Sequence, residues 1–512
     1  MASRRWRTTP KSSTRCLSLI PRNMREVSAG TIRLLASNGR QMNERSSSEI
    51  KITQTSFREN GLNVLNVLNV SELQNGFDPL AEGQAMYRLI SELYPICRSI
   101  TGDGLRKTLR ILQAHISLEL SEVPTGTQVF DWTVPKEWNI HDAYVKNSEG
   151  ERVIDFHKSN LHVVNYSSPV HERMSLAALK EHLFTLPAHP DWIPYRTSYY
   201  KESWGFCLSE RQLSNLKDDQ YQVCIDATLE DGHLTYGEFF LQGETRDEVL
   251  ISCHACHPSL CNDNLSGIAL AVSIARLLET SSRRYSYRFL FIPGTIGAIT
   301  WLARNEDKIP HIKHGLVLTG VGDAGCLHYK KSRKGTAEID RVAAHVLQHS
   351  GKPCQLLEFS PYGYDERQYC SPGINLCVGT LSRTPHGTFP EYHSSADNLD
   401  FVHPDKLGEA SAVCLEMLSI LENNAIFVNL NPKCEPQLGK RGLYRMIGGQ
   451  ADAGVSEMAM LWVLNQSDGE KSLLDIAERS GIHFNVIQRA AHALQDHHLL
   501  RKDFKSVPQA AR

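Results

Sequence analysis

Apolar residues recur at three- and four-residue intervals across residues 81–94. After an interruption at Gly102-Asp103-Gly104 they do so again across 105–118. That spacing predicts two helices with a break between them. From Val129 to Asp226 the pattern shifts to short alternating runs, such as Val153-Ile154-Asp155-Phe156 and Leu161-His162-Val163-Val164, in a stretch rich in Trp, Tyr, Val and Pro. Alternation with turns between predicts β structure, with one short helix over 176–186. Between about residue 235 and residue 421 compact apolar runs alternate with helical ones. Strands are expected at 249–252, 288–292, 315–319 and 375–378, and helices at 268–278, 300–305, 337–347 and 404–421. A strand–helix alternation of this kind makes a mainly parallel sheet with helices on both faces. Near the C-terminus, helical patterns at 456–464, 472–480 and 484–494 surround the turn Gly481-Ile482-His483 and lead to a basic tip at Arg501-Lys502. Helix, tight turn, helix and wing is the winged-helix pattern.

Length makes this a multidomain chain, because 512 residues exceed one ordinary core. The expected division has four parts. Residues 1–77 are a disordered or mis-called N-terminus, and 78–127 with 229–430 form a split α/β domain. Residues 128–228 are an inserted β-rich domain, and 431–512 are the winged helix. The first 43 residues hold nine Arg or Lys against the single acid Glu26, a composition that also suits an organelle transit peptide. The repeat Leu62-Asn63-Val64-Leu65-Asn66-Val67-Leu68-Asn69-Val70 is too short for a solenoid.

A net charge of −2 gives no general attraction to nucleic acid or anionic membrane. No apolar run reaches the roughly 20 residues that span a bilayer. Thirteen cysteines, an odd count spread through the chain and partly inside apolar segments, read as reduced thiols of a cytoplasmic protein. In the winged helix, Arg479, Arg489, Arg501, Lys502 and Lys505 are nearly balanced by Asp475, Glu478, Asp496 and Asp503. Duplex binding needs a stronger positive footprint, so protein contact, homo-oligomerisation included, is favoured over DNA.

The densest chemistry lies in the stretch from Cys253 to Gly267, Cys-His-Ala-Cys-His-Pro-Ser-Leu-Cys-Asn-Asp-Asn-Leu-Ser-Gly. An apolar run precedes it and a helical pattern follows, which puts it at the carboxyl end of a strand, where ligands bind in open α/β sheets. A hydrolytic dimetal site needs a carboxylate between two ions, flanking His and carboxylate ligands, and a base. His254 follows the strand, Asp263 opens the next helix, Asp323 follows the run ending at Thr319, and His393 precedes the last helix. Each has a plainer reading: a loop histidine, a helix N-cap at Asp263, a turn residue at Asp323. A cysteine-rich zinc site at Cys253, Cys256 and Cys261 lacks a second cysteine pair at suitable spacing.

Asp263-Asn264-Leu265-Ser266-Gly267 resembles the Asp-Asn-x-Ser-Gly signature of the dizinc aminopeptidases, and Tyr392-His393-Ser394 with Asp397 resembles their late histidine motif. Cys256-His257-Pro258-Ser259-Leu260 and the motif after it resemble a bacterial aminopeptidase-like family. Its genes often lie beside polysaccharide-biosynthesis genes, and its members carry an inserted domain and a C-terminal winged helix. Trp132-x-Val134-Pro135-Lys136-Glu137-Trp138, Ser198-Tyr199-Tyr200, Trp204-Gly205-Phe206-Cys207, Gly325 with Tyr329-Lys330 and Ser332-Arg333, and Tyr364-Asp365-Glu366-Arg367-Gln368 extend that likeness over residues 78–505. The resemblance implies a zinc-exopeptidase-like fold holding one or two Zn2+ ions. His254 and Asp323 would hold one ion, Asp263 would bridge, and His393 would hold the second.

In the broader family a Glu-Glu pair after the next strand supplies the base and a ligand, and the closer family shows Pro-Glu-Thr-Ile-Gly there. This chain reads Pro293-Gly294-Thr295-Ile296-Gly297. Glycine accepts no proton, and losing a general base costs about 10²–10⁴-fold in rate. His257 is a candidate replacement ligand, and Glu366 or Glu391 a candidate base, with Asp365 beside them. Cys256 stands where the broader family has an aspartate that orients the zinc histidine, which implies a looser site.

Two leading functions follow as expectations. One is a zinc-dependent aminopeptidase-like hydrolase of amide bonds near a free amine, on a peptide or aminoacyl substrate, slowed by Gly294. The other is an inactive metal- or ligand-binding pseudoenzyme that acts through its winged helix. A ligand-sensing DNA-binding regulator is a third.

Overall fold

The computed structural model describes residues 76–443 and 453–503. The basic N-terminal stretch, the Leu62–Val70 repeat and Lys505 lie outside the described residues.

An eight-stranded sheet organises the chain. Its strands are β1 Glu119–Pro124, β2 His233–Leu241, β3 Glu248–His254, β4 Ser286–Ile292, β5 Ile312–Leu318, β6 Leu327–Lys330, β7 Cys354–Leu357 and β8 Val378–Ser382, in the order β1-β2-β4-β3-β5-β8-β6-β7. The central four, β4, β3, β5 and β8, are parallel. β2 joins β4, and β6 joins β8, antiparallel. The sheet is therefore mainly parallel at its centre and mixed at its flanks. Every residue of β3 and β4 is buried, as expected of strands covered on both faces.

Helices α1 Pro79–Leu93, α2 Gly267–Glu279, α3 Ile296–Arg304, α4 Glu338–His349 and α5 Pro404–Asn423 cover the sheet. Residues 267–275 of α2 are all buried, so this helix is a core element rather than an amphipathic one. α1 and α5 cross closely through two glycines. A Cβ on Gly83 would overlap the Pro404 carbonyl, and one on Gly408 the Pro79 carbonyl.

Several expected boundaries move. The second helix is Asp103–Leu112 and stops short of 118, because Ile116 and Leu118 are buried on the approach to β1. Within 176–186 only Leu176–Leu179 is α-helical, and Leu183–Phe184 pairs with Phe206–Cys207. α3 begins at Ile296, ahead of the expected 300. The strand expected at 375–378 is β8, shifted because Asn375 takes a left-handed turn at φ 54.

A four-stranded antiparallel sheet is built from Arg152–Asp155, Glu137–Lys146, Gln220–Glu230 and Val170–Ser175. Trp138 is buried in it and donates Nε1–H to the Ser167 carbonyl at 2.8 Å.

At the C-terminus, helices Ala453–Gln466, Leu473–Ser480 and Phe484–Asp496 pack with strands Ile426–Asn429, Asp468–Ser472 and Leu500–Asp503. The basic tip is not free: Leu500–Asp503 is paired with Ile426–Asn429, and Lys502 is half-buried. No helix among the described residues is long and apolar enough to cross a membrane.

Candidate metal centre

β3 delivers His254 to the carboxyl edge of the sheet, where it is 1 % exposed and thus no loop residue. The chain then turns through residues 255–266 and re-enters the core as α2. Most of the Asn-Asp-Asn-Leu-Ser motif serves to hold that turn. Asn264 donates to the Leu318 carbonyl at 3.0 Å and accepts from Gly267 N–H at 3.1 Å. Asn262 accepts from Gly322 N–H at 2.9 Å. Ser266 accepts from Val321 N–H at 3.0 Å and donates to the Asn262 carbonyl at 2.7 Å. From the far side, the buried Asp397 carboxylate takes Asn262 N–H at 2.6 Å and Asp263 N–H at 2.9 Å.

Asp263 is the one carboxylate of the motif, and it points into the site. Its Oδ1 lies 2.8 Å from His254 Nε2 and accepts the Tyr364 hydroxyl at 2.9 Å. Its Oδ2 lies 3.0 Å from His393 Nε2 and 3.8 Å from His257 Nε2. These partners are side chains, so Asp263 is not acting as a helix cap. Burial works against its ionisation, but His257, His254 and His393 around it hold the carboxyl well below its ordinary value. Burial pushes His257 down to about 3, which keeps that imidazole neutral with a lone pair to offer.

Ligand atoms of His254, His257 and Asp263 all fall within 4.8 Å of one another. Asp263 Oδ2 and His393 Nε2 are buried and face each other at 3.0 Å, yet neither makes a hydrogen bond of good geometry. A buried carboxylate oxygen without a well-formed hydrogen bond is costly, and a cation held by Asp263 would satisfy it. The donor set of imidazoles and a carboxylate suits zinc.

The other expected residues lie elsewhere. Asp323 accepts Gly325 N–H at 2.7 Å, the Thr384 hydroxyl at 2.6 Å and Asn262 Nδ2 at 3.0 Å, a turn-residue geometry, and it is not among the donors that converge with His254. Glu366 is buried, with Oε1 2.8 Å from Lys330 Nζ and Oε2 unpartnered. Glu391 is half-buried, and its carbonyl accepts the Ser394 N–H at 3.1 Å. Asp365 is fully buried with both oxygens unpartnered, and burial pushes it up to about 7. A Cβ built on Gly294 would stand 3.6 Å from Asp365 Oδ1. None of the cysteines among the described residues joins the converging group, and burial pushes the Cys256 thiol up to about 12, so it stays protonated.

Two tyrosines, neither of them expected as a ligand or base, complete the centre. Tyr364 stacks on His254 with ring centroids 4.5 Å apart and hydrogen-bonds Tyr392 at 3.0 Å. It directly precedes Asp365-Glu366, the only hint the sequence carried. Tyr195 packs 5.2 Å from His257 and 5.1 Å from His393, and its N–H donates to the His393 carbonyl at 2.7 Å. Ile193 and Ser395 exchange further hydrogen bonds, and together these contacts hold His393 at φ 56, a left-handed conformation unusual for histidine.

A family model described as a domain of unknown function, DUF4910, matches residues 87–424, and a winged helix-turn-helix model matches residues 425–502. A Clostridium acetobutylicum protein, provisionally named a polysaccharide biosynthesis protein with aminopeptidase-like domain, is 57% identical over 419 residues, covering 82% of this chain and 96% of the relative. A crystal structure of a candidate peptidase from Clostridium acetobutylicum is 54% identical, covers 85% of this chain and 99% of its own, and superposes with a TM-score of 0.80. The zinc aminopeptidase BSAP from Bacillus subtilis shares 12% identity and a TM-score of 0.50 over 66% of this chain and 95% of its own, a likeness of fold.

Proposed function

Since this chain belongs to the DUF4910 family, with its aminopeptidase-like α/β fold and C-terminal winged helix, we propose that it is a zinc-dependent hydrolase of amide bonds near a free amine. The substrate would be a peptide or an aminoacyl small molecule. The observation that carries this reading is the buried convergence of His254, His257 and Asp263, with His393 on the far oxygen of Asp263.

Zinc, when bound there, supplies positive charge that polarises a carbonyl and acidifies a water. The chain's own residues supply the rest. Asp263 contributes the ionised ligand, and Tyr364 fixes one of its oxygens. Tyr392, stacked on His393, and Tyr195, set edge-on to His393 and tilted against His257, exclude water from that side. The base falls to a carboxylate near position 294. Of the candidates, Glu366 is tied on one oxygen to Lys330, and Glu391 sits on the adjoining turn. Asp365 lies against the point where the missing side chain would begin, and its raised value favours proton exchange near neutrality.

Gly294 also favours a second reading, a pseudoenzyme that binds metal or ligand without turnover. DNA regulation has weaker support. The recognition helix of a helix-turn-helix reads bases with its N-terminal residues, but here Phe484 N–H donates to His345 Nε2 of α4 at 2.9 Å and His483 pairs with Glu416 of α5 at 2.9 Å. That end faces the protein.

The test is metal content together with release of amine from aminoacyl amides by the purified full chain. Stoichiometric zinc with chelator-sensitive release supports the hydrolase. Zinc without release supports the pseudoenzyme. Absence of zinc after loading removes the hydrolase and the metal-binding form of the pseudoenzyme.

A further inference from the structure

The likeness to dizinc enzymes implies two ions bridged by Asp263. We propose instead that the centre is mononuclear. A single divalent ion is held by His254, His257 and Asp263, and His393 braces Asp263 from outside the coordination sphere. This inference rests on the reading of the cleft as a metal site, and it concerns how many ions bind and which side chains hold them.

Zinc bonds of about 2.0–2.2 Å to nitrogen and oxygen place tetrahedral ligand atoms roughly 3.3–3.6 Å apart. His254 Nε2 stands 2.8 Å from Asp263 Oδ1 and His257 Nε2 stands 3.8 Å from Asp263 Oδ2, so each imidazole comes near that spacing on its own carboxylate oxygen. Three protein ligands with a fourth position left for water or substrate is the usual catalytic arrangement of zinc. Among the described residues, no other trio of His, Cys, Asp or Glu donors converges in this way. His393 is outside the trio, although its Nε2 is 3.0 Å from Asp263 Oδ2.

A second ion would have to sit about 3.5–4 Å from the first, on the His393 side of Asp263. There it would find Asp263 Oδ2 and His393, while His386 lines the same small cavity as Asp263 but belongs to no converging trio of donors among the described residues. The two positions that carry carboxylates in the broader family are Gly294 and Thr295. Asp323 is committed on both oxygens: Oδ1 to Gly325 and Thr384, Oδ2 to Asn262. Freeing it would leave the Asn262 amide and the Thr384 hydroxyl without their acceptor. Two donors hold zinc poorly, whereas His257, which Tyr195 walls in 5.2 Å away, supplies the third donor to the first position.

The experiment is metal stoichiometry on the full chain after loading with excess zinc and desalting, with thermal unfolding as the second readout. Expected is about one zinc per chain and a zinc-dependent rise in Tm. His257→Gln should lose both the ion and the rise, with its metal-free Tm unchanged. Asp323→Asn and His393→Gln should keep one ion, the latter with affinity weakened about 10–100-fold as for a supporting side chain. Two ions per chain would overturn the mononuclear assignment while leaving the hydrolase reading intact. So would an ion retained by His257→Gln and lost from His393→Gln. No ion in the unaltered chain would defeat the metal reading itself.

Discussion

Gly294 faces His254 so closely that a Cβ added to it would stand 3.0 Å from the Cβ of His254 and 3.5 Å from its Cγ. The side chain missing from position 294 would therefore begin against the back of a proposed metal ligand, next to Asp365. Neighbours must yield by a few tenths of an ångström to admit it.

Gly294→Glu should give the site a better-placed base than Asp365. Given that a general base contributes about 10²–10⁴-fold, kcat on an aminoacyl amide should rise by about 10²-fold, with zinc content unchanged. Gly294→Ala, which adds the Cβ alone, should leave kcat within a few-fold. Steady-state kinetics on the three proteins decides. Equal rates in all three would mean that Asp365 or another carboxylate already does this task.

Asp397 holds the motif turn through two buried backbone N–H groups. Asp397→Ala strands both donors, and each unpaired buried group costs about 1–3 kcal/mol. Denaturant unfolding should show a loss of about 2–5 kcal/mol with no large change in m, together with weaker zinc binding as Asp263 loses its support.

Docking of the winged helix onto the α/β core should weaken with acid. His345 of α4 accepts Phe484 N–H at 2.9 Å through Nε2, so it must be unprotonated there. Burial, with His349 and His483 beside it, pushes His345 down from 6.5 to about 4. The undocked state therefore binds more protons between those values. The contribution is fully present above pH 6.5 and is lost as the pH falls toward 4. Amide exchange in Phe484–Asp496 should accelerate between pH 7.5 and pH 5, faster than the intrinsic chemistry, and His345→Leu should flatten that dependence.

Duplex DNA should not be a specific partner. A protein contacting Z phosphates shows log K falling with log salt at a slope of about −0.9Z. Here Arg501 projects while Lys502 is half-buried in a paired strand. Fluorescence anisotropy with a random duplex should give weak binding and a slope no steeper than about −2, unchanged in Arg501→Ala. A slope several-fold steeper, abolished by changing Arg501 and Lys502, would restore the regulator reading.

The sequence by itself determined the local order of elements and the identity of the site segments. Short apolar runs such as Val249-Leu250-Ile251, set between helical patterns, pointed to buried strands, and the glycines at 102 and 104 marked the break that the structure places just before the helix Asp103–Leu112. It also exposed the loss at position 294, because glycine has no side chain in any fold. Which candidates meet was decided by tertiary structure. Asp263 and Asp323 look equally suited on paper, yet the first faces three histidines and the second is consumed by Asn262, Thr384 and Gly325. His257 enters the trio, and Tyr195 reaches it from about sixty residues upstream, across the sheet edge. The physical reason is direction. Spacing along the chain fixes which residues share an element, but a carboxylate's role depends on where its oxygens point, and that is set by hydrogen bonds from distant parts of the chain.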